Sequence, residues 1–330
     1  MSRCPPVSVA PMMDVTDAHT RWLYRRISRR VLLYTEMVTA QALDKGDAPR
    51  LLAYDPVEHP IALQLGGDDP TLLAQGARMG ADVGYDEINL NVGCPSPRVQ
   101  KGSFGACLML SPEVVAEGVA AMKAAVDVPV TVKCRIGVDD HDRYEDLRRF
   151  ADAVVAAGAD RLTVHARKAW LQGLSPKQNR NVPPLRYEEV HRLARELPDV
   201  PIEINGGFVD LDAVADQLEH VDAVMIGRGV WHDPWLLADV DRRFFGETGP
   251  APTREDVLED WIPFVERRVA EGHKIQHVVR HAGPIYAGQP GAKAFKRALA
   301  RAHKEGSKAI LEGIEAVRLA RAAWSERKAG

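Results

Sequence analysis

The chain has 330 residues, of which 45% are hydrophobic and 27% are charged, and its formal net charge is −3. This composition excludes a disordered chain, a disulfide-rich scaffold and a collagen-like repeat, and at about 100–200 residues per domain the length predicts two domains or one large barrel with an appendage. The sequence contains no run of about 18 apolar residues and no apolar segment typical of a signal peptide. We therefore expect a cytoplasmic protein without a membrane partner.

Short β-branched segments alternate with longer amphipathic segments over about the first 230 residues. The eight candidate strands are Val7–Ala10, Val31–Thr35, Ile61–Leu65, Glu87–Asn91, Val130–Arg135, Arg161–His165, Ile202–Asn205 and Ala223–Ile226. The candidate helices between them include Pro70–Met79, Pro112–Ala125, Tyr144–Ala157, Tyr187–Glu196 and Leu211–Leu218. Eight strand–helix units predict an α/β fold, the (β/α)8 TIM barrel. A doubly wound open sheet competes with it, but no GxGxxG follows the first strand.

The barrel pattern ends near Phe245, before the turn-rich segment Gly246–Thr253. Thr253 followed by Asp256 resembles a capping box that starts a helix. Helical patterns then cover residues up to about Val269, Ala292–His303 and Lys308–Arg327. We predict a barrel domain at residues 1–245 and an all-helical domain at residues 246–330.

Positive charge is in excess in the predicted helical domain. Residues 251–330 carry 15 Lys and Arg against 10 Asp and Glu, and His273–Lys308 carries 8 basic residues against Glu305 alone. Such a patch is typical of a solvated helix face or of a contact surface for a polyanion. Charge alone leaves both interpretations open.

The four cysteines are Cys4, Cys94, Cys107 and Cys134. They form no CxxC pair and lack the spacing of a zinc site, so we expect reduced thiols and no metal. Cys94 differs from the others because it follows the fourth predicted strand, in Asn91-Val92-Gly93-Cys94-Pro95. Glycine and proline fix a turn that would hold this thiol over the barrel lumen. A thiol with a pKa of about 8.5 is mostly protonated at neutral pH and can donate a proton.

Polar residues occupy the inward positions of the predicted strands near their carboxyl ends, where parallel barrels place their chemistry. Alternation within Val130–Arg135 turns Thr131, Lys133 and Arg135 toward the lumen. The same division turns inward Ala62, Gln64, Glu87, Asn89, Asn91, Thr163, His165, Arg167, Glu203, Asn205, Met225 and Gly227. A purely structural barrel would fill these positions with Val, Ile and Leu, so we expect a functional site here.

The last two predicted strands end in glycine, at Asn205-Gly206-Gly207 and at Gly227-Arg228-Gly229. Loops at these two places commonly bind phosphate in such barrels, because bare N–H groups and a helix start attract an anion. Arg228 would add a charge-assisted hydrogen bond. We therefore predict a phosphorylated ligand.

Lys133 permits two hypotheses. Close to a carbonyl substrate it would form a Schiff base, as in an aldolase. If it stays protonated, it would stabilise negative charge on a reduced flavin whose ring edges bond Gln64, Asn89 and His165. The segment Pro11-Met12-Met13 would pack on that ring, an arrangement that suits flavin mononucleotide (FMN).

The chain resembles the tRNA-dihydrouridine synthase family, most closely its subfamily A, over nearly its whole length. The motifs that carry the resemblance are Ala10–Asp17, Glu36-Met37, Gln64–Gly67, Asn89–Pro95, Val132–Arg135, His165–Leu171, Leu174–Arg180, Asn205–Gly207, Gly227-Arg228 and Gly288–Ala292. One departure follows the last motif, where the family has mainly Arg and an aromatic residue and this chain has Lys293, Phe295, Lys296 and Arg297. The positive charge is kept, but lysine does not form the bidentate phosphate contacts of arginine.

The resemblance implies a flavoenzyme that NADPH reduces and that saturates the C5–C6 bond of uridines in the tRNA D-loop, at positions 20 and 20a. The flavin hydride would go to C6, and Cys94 would protonate C5. With the packing segment included, the predicted FMN-binding residues are Pro11, Met12, Met13, Gln64, Lys133, His165, Asn205, Gly206, Gly207, Gly227 and Arg228. The predicted tRNA-binding residues are Asn91, Arg135, Arg167, Lys177, Arg180, Lys293, Lys296 and Arg297. No obligate protein partner is implied.

Three alternatives stay open. An FMN-dependent reductase of a small pyrimidine or enone would use the same barrel, although the basic helical region argues against a small substrate. A Schiff-base aldolase would use Lys133 but gives Cys94 no role. A non-catalytic RNA-binding protein would explain the basic region and leave the polar lumen unexplained.

Overall fold

The computed structural model describes residues 4–102 and 104–329. The chain forms two compact units, one of residues 1–16 and 31–227 and the other of residues 17–30 and 228–330. The division therefore falls after Gly227 and not at the predicted boundary of 245/246. The helical unit is larger than predicted because residues 17–30 belong to it, where Trp22 stacks on Phe264 with ring centroids 4.3 Å apart.

The first unit is built on parallel strands. Those in its described residues are β1 (Val7–Val9), β2 (Leu33–Tyr34), β3 (Val38–Thr39), β4 (Ile61–Gly66), β5 (Glu87–Asn91), β6 (Val130–Arg135), β7 (Arg161–His165), β8 (Ile202–Asn205) and β9 (Ala223–Ile226). They pair in the order β1-β9-β8-β7-β6-β5-β4-β2, and β3 pairs with the end of β4. A parallel bridge between Ser8 and Leu32 joins the two ends of this order. The predicted (β/α)8 barrel is confirmed, and the open doubly wound sheet is wrong.

The α-helices follow the strands in the predicted alternation. In chain order they are α1 (Ala18–Ile27), α2 (Ala40–Lys45), α3 (Ala48–Leu51), α4 (Pro70–Asp82), α5 (Pro97–Lys101), α6 (Pro112–Ala125), α7 (Tyr144–Ala156), α8 (Tyr187–Glu196), α9 (Leu211–Leu218), α10 (Arg228–His232), α11 (Val240–Phe244), α12 (Arg254–Ala270), α13 (Ile275–Val279), α14 (Ala292–Glu305) and α15 (Ser307–Ala329). Short 3-10 turns lie at Pro56–Glu58, Gly105–Leu110, Gln178–Arg180, Pro234–Asp239 and Gly283–Tyr286.

Helix starts follow from local chemistry. The Asp69 carboxylate accepts the amide of Thr71 at 2.8 Å, and Pro70 occupies the first turn, where its missing N–H is not needed. Thr253 and Asp256 form the predicted capping box at the start of α12. These caps satisfy amides that have no acceptor within the helix.

The barrel core is built by alternation along each strand. On β6, Val130, Val132 and Cys134 are fully buried, while the hydroxyl of Thr131 and the ammonium of Lys133 bond polar groups from other barrel strands. Apolar residues thus face the surrounding helices and polar residues face the lumen, as predicted.

The second unit is helical in its described residues. On α14, Phe295, Ala298 and Ala302 are buried, at the spacing of one helix face. Within the described ranges, no helix has both the length and the apolar composition needed to span a membrane.

Candidate active site

Strand register brings the predicted lumen residues together at the carboxyl end of the barrel. Asn91 on β5 lies opposite Lys133 on β6. One row further on, Arg135, His165 and Asn205 are neighbours across β6, β7 and β8. Because this row comes from the last residues of parallel strands, its side chains meet at the face where barrel enzymes place their chemistry.

Lys133 crosses the lumen to Asn205. Its Nζ donates to Asn205 Oδ1 at 3.1 Å, and Asn205 Nδ2 donates to the carbonyl of Met225 at 2.8 Å. Burial, together with the nearby guanidinium of Arg135, lowers the pKa of Lys133 to about 8, while Glu203 opposes the shift. At pH 7 the Lys133 side chain is therefore mostly protonated, but it loses its proton more readily than an ordinary lysine.

The loop that carries Cys94 is held by its own preceding asparagine. Asn91 Oδ1 accepts the amides of Gly93 and Cys94, each at 3.1 Å. The carbonyl of Cys94 accepts the amide of Ala106 at 2.9 Å. Gly105 has φ +80°, and a Cβ there would lie 2.6 Å from the Cys94 carbonyl oxygen. Only glycine therefore lets the backbone at residue 105 come this close to the Cys94 loop. Cys94 itself is half-buried.

Arg135 joins the Cys94 loop to the loop that follows β7. Its Nε donates to the carbonyl of Gly93 at 2.7 Å, and its Nη1 donates to the carbonyls of Lys168 at 3.1 Å and Asn179 at 3.3 Å. The residue is only 3% exposed. Burial lowers the pKa of Arg135 to about 10, with Arg180 contributing. Predicted as a tRNA contact, Arg135 uses its guanidinium to hold two loops together.

Two residues outside the predicted site also hold these loops. Gln100 Nε2 donates to the carbonyls of Pro95 at 2.9 Å and Leu171 at 3.0 Å. Asn179 is fully buried, and its side chain accepts the amide of Trp170 at 2.7 Å and donates to the carbonyl of the same residue at 2.9 Å. Strand and helix periodicity carries no signal for such contacts between loops, so neither residue could be predicted from the sequence.

A buried ion pair lies among the inward residues of β5 and β7, and it was also missed. Arg161 Nη2 donates to both carboxylate oxygens of Glu87 at 2.7 Å, and the same Glu87 accepts the hydroxyl of Tyr34 at 2.7 Å. Arg161 also lies 3.6 Å from Glu203. Alternation could have found this residue, because Arg161 shares a strand face with Thr163 and His165.

The glycines after β8 are required by close packing. Gly206 and Gly207 have φ +132° and +84°, and a Cβ on either would lie 2.7–2.8 Å from Leu185. Among the described residues neither glycine amide has an acceptor, so both remain candidate donors to an anion. The start of α9 is already capped by the carboxylate of Asp210, which accepts the amide of Ala213 at 2.8 Å.

The other predicted cofactor residues lie at strand ends. Gly227 ends the barrel unit, and Arg228 begins α10 of the helical unit. Met12 packs on a cluster of buried barrel residues that consists of Ala10, Leu32, Tyr34, Ala62 and Met225. Pro11 is half-buried, and Met13 is 56% exposed.

The predicted tRNA-binding residues fall into two groups. Asn91, Arg135 and Arg167 bond loop atoms of the barrel unit, with Arg167 Nη1 directed at the carbonyls of Asn181 and Pro183. The exposed group consists of Lys177, Arg180, Lys293, Lys296 and Arg297, the last three on the solvent face of α14.

No metal centre is apparent within the described ranges: no three His, Cys, Asp or Glu side chains are grouped to hold an ion. Within the described residues, Cys4, Cys94, Cys107 and Cys134 form no disulfide.

Comparison with known proteins gives one consistent family. The model of the dihydrouridine synthase (Dus) family matches residues 8–322. The chain is 55% identical over 294 residues to a tRNA-dihydrouridine(20/20a) synthase of Synechocystis sp., covering 89% of this chain and 88% of the relative. It is 52% identical to the protein of that name from Xanthomonas axonopodis pv. citri, over 91% of this chain and 90% of the relative.

A solved structure supports the fold alone. A 2-naphthoyl-CoA reductase in complex with 2-naphthoyl-CoA superimposes with a TM-score of 0.56 at 12% identity, covering 72% of this chain and 50% of the reductase. At this identity the likeness carries the barrel architecture and no chemistry.

Proposed function

The chain belongs to the dihydrouridine synthase family, and on that premise we propose that it reduces uridines 20 and 20a in the D-loop of tRNA to 5,6-dihydrouridine. FMN is the proposed cofactor, NADPH the reductant and Cys94 the acid. The observation that carries the proposal is the juxtaposition of Lys133, Asn205 and the anchored Cys94 loop at the carboxyl end of the barrel. The names of the relatives support the substrate.

The lumen supplies the groups that FMN requires. Gln64 and Asn205 carry amides that can bond the edge of a flat heterocycle, and Lys133 adds a cation. Of the three Lys133 N–H donors one bonds Asn205, and within the described ranges the other two have no protein acceptor. The amides of Gly206 and Gly207 suit a phosphate. FMN fits this donor set.

FMN, once reduced by NADPH, would supply the hydride that uracil C6 accepts. Hydride addition to the conjugated C5–C6 bond builds negative charge on the uracil carbonyl, which needs a proton donor at C5. The Cys94 thiol would supply that proton from a loop fixed by Asn91 and Arg135. Lys133 would stabilise negative charge in the lumen, because it is mostly protonated at pH 7.

The RNA would bind through shape and phosphate contacts. A uridine must leave its stack to reach the barrel lumen, and the free-energy cost of unstacking is smallest for loop nucleotides. Lys177 and Arg180 would contact phosphates near the barrel mouth, and the basic face of α14 would contact them in the helical unit. We propose the helical unit as a tRNA-binding domain of a cytoplasmic enzyme that needs no metal and no protein partner.

Mass spectrometry of tRNA nucleosides tests the proposal. The purified, FMN-loaded protein is incubated with NADPH and a tRNA transcript, with free uridine, uracil and an enone as competing substrates. Dihydrouridine at positions 20 and 20a, with no turnover of the small molecules, is the expected result. Turnover of a small molecule alone favours the small-substrate reductase, and borohydride trapping of a carbonyl compound on Lys133 favours the aldolase.

A further inference from the structure

A hydrogen-bond network of side chains runs through the barrel lumen from the Cys94 loop to the buried ion pair. Its members in order are Asn91, Gln64, Asn89, Thr131 and Glu87. Asn91 Nδ2 donates to Gln64 Oε1 at 2.8 Å, and Gln64 Nε2 donates to Asn89 Oδ1 at 2.8 Å. Asn89 Nδ2 donates to Thr131 Oγ1 at 2.8 Å, and Thr131 donates to Glu87 Oε1 at 2.6 Å.

The donor-to-acceptor direction of this network is fixed at the end formed by Glu87. Glu87 is ion-paired with Arg161, and an ionised carboxylate only accepts hydrogen bonds. The Thr131 hydroxyl must therefore donate to Glu87, which leaves its oxygen to accept from Asn89. The side-chain amides of Asn89, Gln64 and Asn91 are then oriented in turn. Because Asn89 and Thr131 are fully buried, water does not substitute for a missing partner.

The other end of the network, at Asn91, holds the turn that carries Cys94. With Nδ2 of Asn91 committed to Gln64, its Oδ1 faces the amides of Gly93 and Cys94. A reversed Asn91 would direct an NH2 group at two N–H donors, which is repulsive. The orientation of the Asn91 amide thus decides whether the turn before the Cys94 thiol is held.

We infer that Thr131 is a positioning residue for Cys94, acting through Asn89, Gln64 and Asn91. The kinetic consequence of this inference rests on the proposed function, because Cys94 acts as the acid only there. The structural consequence does not depend on it. Removal of the Thr131 hydroxyl leaves the Asn89 amide without its buried acceptor, so the orientation of the Gln64 and Asn91 amides is then held only by the Gly93 and Cys94 amides.

The barrel contains a matched control. Thr163 on β7 is also fully buried, and its hydroxyl donates to Glu203 Oε2. It lies opposite Lys133 in the sheet register but, in the part of the protein that the structure describes, it forms no bond with the hydrogen-bond network that ends at Asn91. Thr131→Val and Thr163→Val therefore remove the same group from the same kind of environment, and Thr131→Ser restores the hydroxyl.

The kinetic test measures flavin reoxidation by saturating tRNA in protein that is reduced beforehand without oxygen, so effects on reduction do not enter. We expect Thr131→Val to be about tenfold slower than wild type, with a tRNA dissociation constant within about twofold. Thr131→Ser and Thr163→Val are expected within about threefold of wild type. Equal slowing by the two valine variants, or none, would overturn the inference.

The structural test is hydrogen exchange at the amides of Gly93 and Cys94 in the resting protein. Thr131→Val is expected to speed this exchange at least about tenfold, and Thr163→Val to leave it unchanged. Unchanged exchange in Thr131→Val contradicts the inference, and Thr131→Ala replaces it if the valine variant does not fold. A wild-type protein that forms no dihydrouridine would refute the proposed function, while the exchange comparison would still decide the role of Thr131.

Discussion

Lys133 on β6 donates a hydrogen bond to Asn205 on β8, with 3.1 Å between Nζ and Oδ1, although β7 lies between the two strands. The bond therefore crosses the lumen and does not follow the sheet. It holds an ammonium group at the barrel's carboxyl end on Asn205, the residue that precedes the two glycines after β8, and burial makes the ammonium proton easier to lose.

The lowered pKa of Lys133 predicts a pH-dependent contribution to stability. Its pKa is about 8 in the folded protein against 10.5 for the ordinary group. Between these values the unfolded chain binds a proton that the folded chain does not, so folding stability rises with pH. Relative to Lys133→Met, which does not titrate, we expect flavin-free wild type to gain about 1–3 kcal/mol of unfolding free energy between pH 7 and pH 10. Urea denaturation at both values measures this, and a constant difference would refute it.

Replacing Cys94 separates flavin chemistry from proton donation. Cys94→Ala should retain FMN and its reduction by NADPH, but lose at least about 100-fold in dihydrouridine formation, the contribution of a positioned acid. Cys107→Ala serves as the control, because that thiol is directed at the carbonyl of Phe104 at 3.2 Å. Absorbance at the flavin band and nucleoside mass spectrometry provide the two measurements. Wild-type yield from Cys94→Ala would exclude it as the acid.

The exposed face of α14 predicts an electrostatic contribution to tRNA binding. Alanine at Lys293, Lys296 and Arg297 should weaken binding and reduce the slope of log affinity against log salt by about 2, since each lost phosphate contact removes about 0.7–0.9. Flavin reduction by NADPH should not change. Filter binding at several salt concentrations measures the slope.

A second triple variant controls for the loss of charge. Arg301, Arg318 and Arg321 belong to the same helical unit, and each pairs with a glutamate. Their replacement by alanine removes the same formal charge without removing a proposed phosphate contact. If both triple variants reduce the salt slope equally, the effect is one of net charge, and the prediction that α14 contacts tRNA is wrong.

The buried ion pair should be costly to break. Arg161→Met leaves Glu87 and Glu203 buried without their cation, which typically costs about 3–5 kcal/mol. Arg148→Met removes a partly exposed arginine that pairs with acidic side chains at the surface, and we expect less than about 1 kcal/mol there. Chemical denaturation at pH 7 compares the two. Equal effects would mean that the buried pair adds nothing beyond a surface pair.

The barrel could be predicted from sequence because its signal is local and repeated. The strands Glu87–Asn91, Val130–Arg135 and Arg161–His165 have the predicted bounds, and so does helix α8. Strand β3 was missed because two residues are too few to show alternation. The boundary at Phe245 was predicted from the turn-rich segment that comes directly after it. Composition does not reveal the packing of residues 17–30 with the later helices.

Part of the site could also be predicted, because alternation decides which side chains enter the lumen. It does not reveal which of them bond one another. The cross-lumen bond of Lys133, the bond of Gln100 to Leu171 and the ion pair of Arg161 all join residues far apart in sequence. Such partners depend on the tertiary arrangement, for which a single sequence carries no periodic signal.

The most direct test of the proposed chemistry is an anaerobic half-reaction followed at the flavin absorption band. The protein is loaded with FMN, bleached with one equivalent of NADPH and mixed with a tRNA transcript that lacks dihydrouridine. We predict that the flavin band returns and that one dihydrouridine forms in the D-loop per flavin reoxidised. A flavin that stays reduced with the transcript, or is reoxidised without dihydrouridine, would contradict the account.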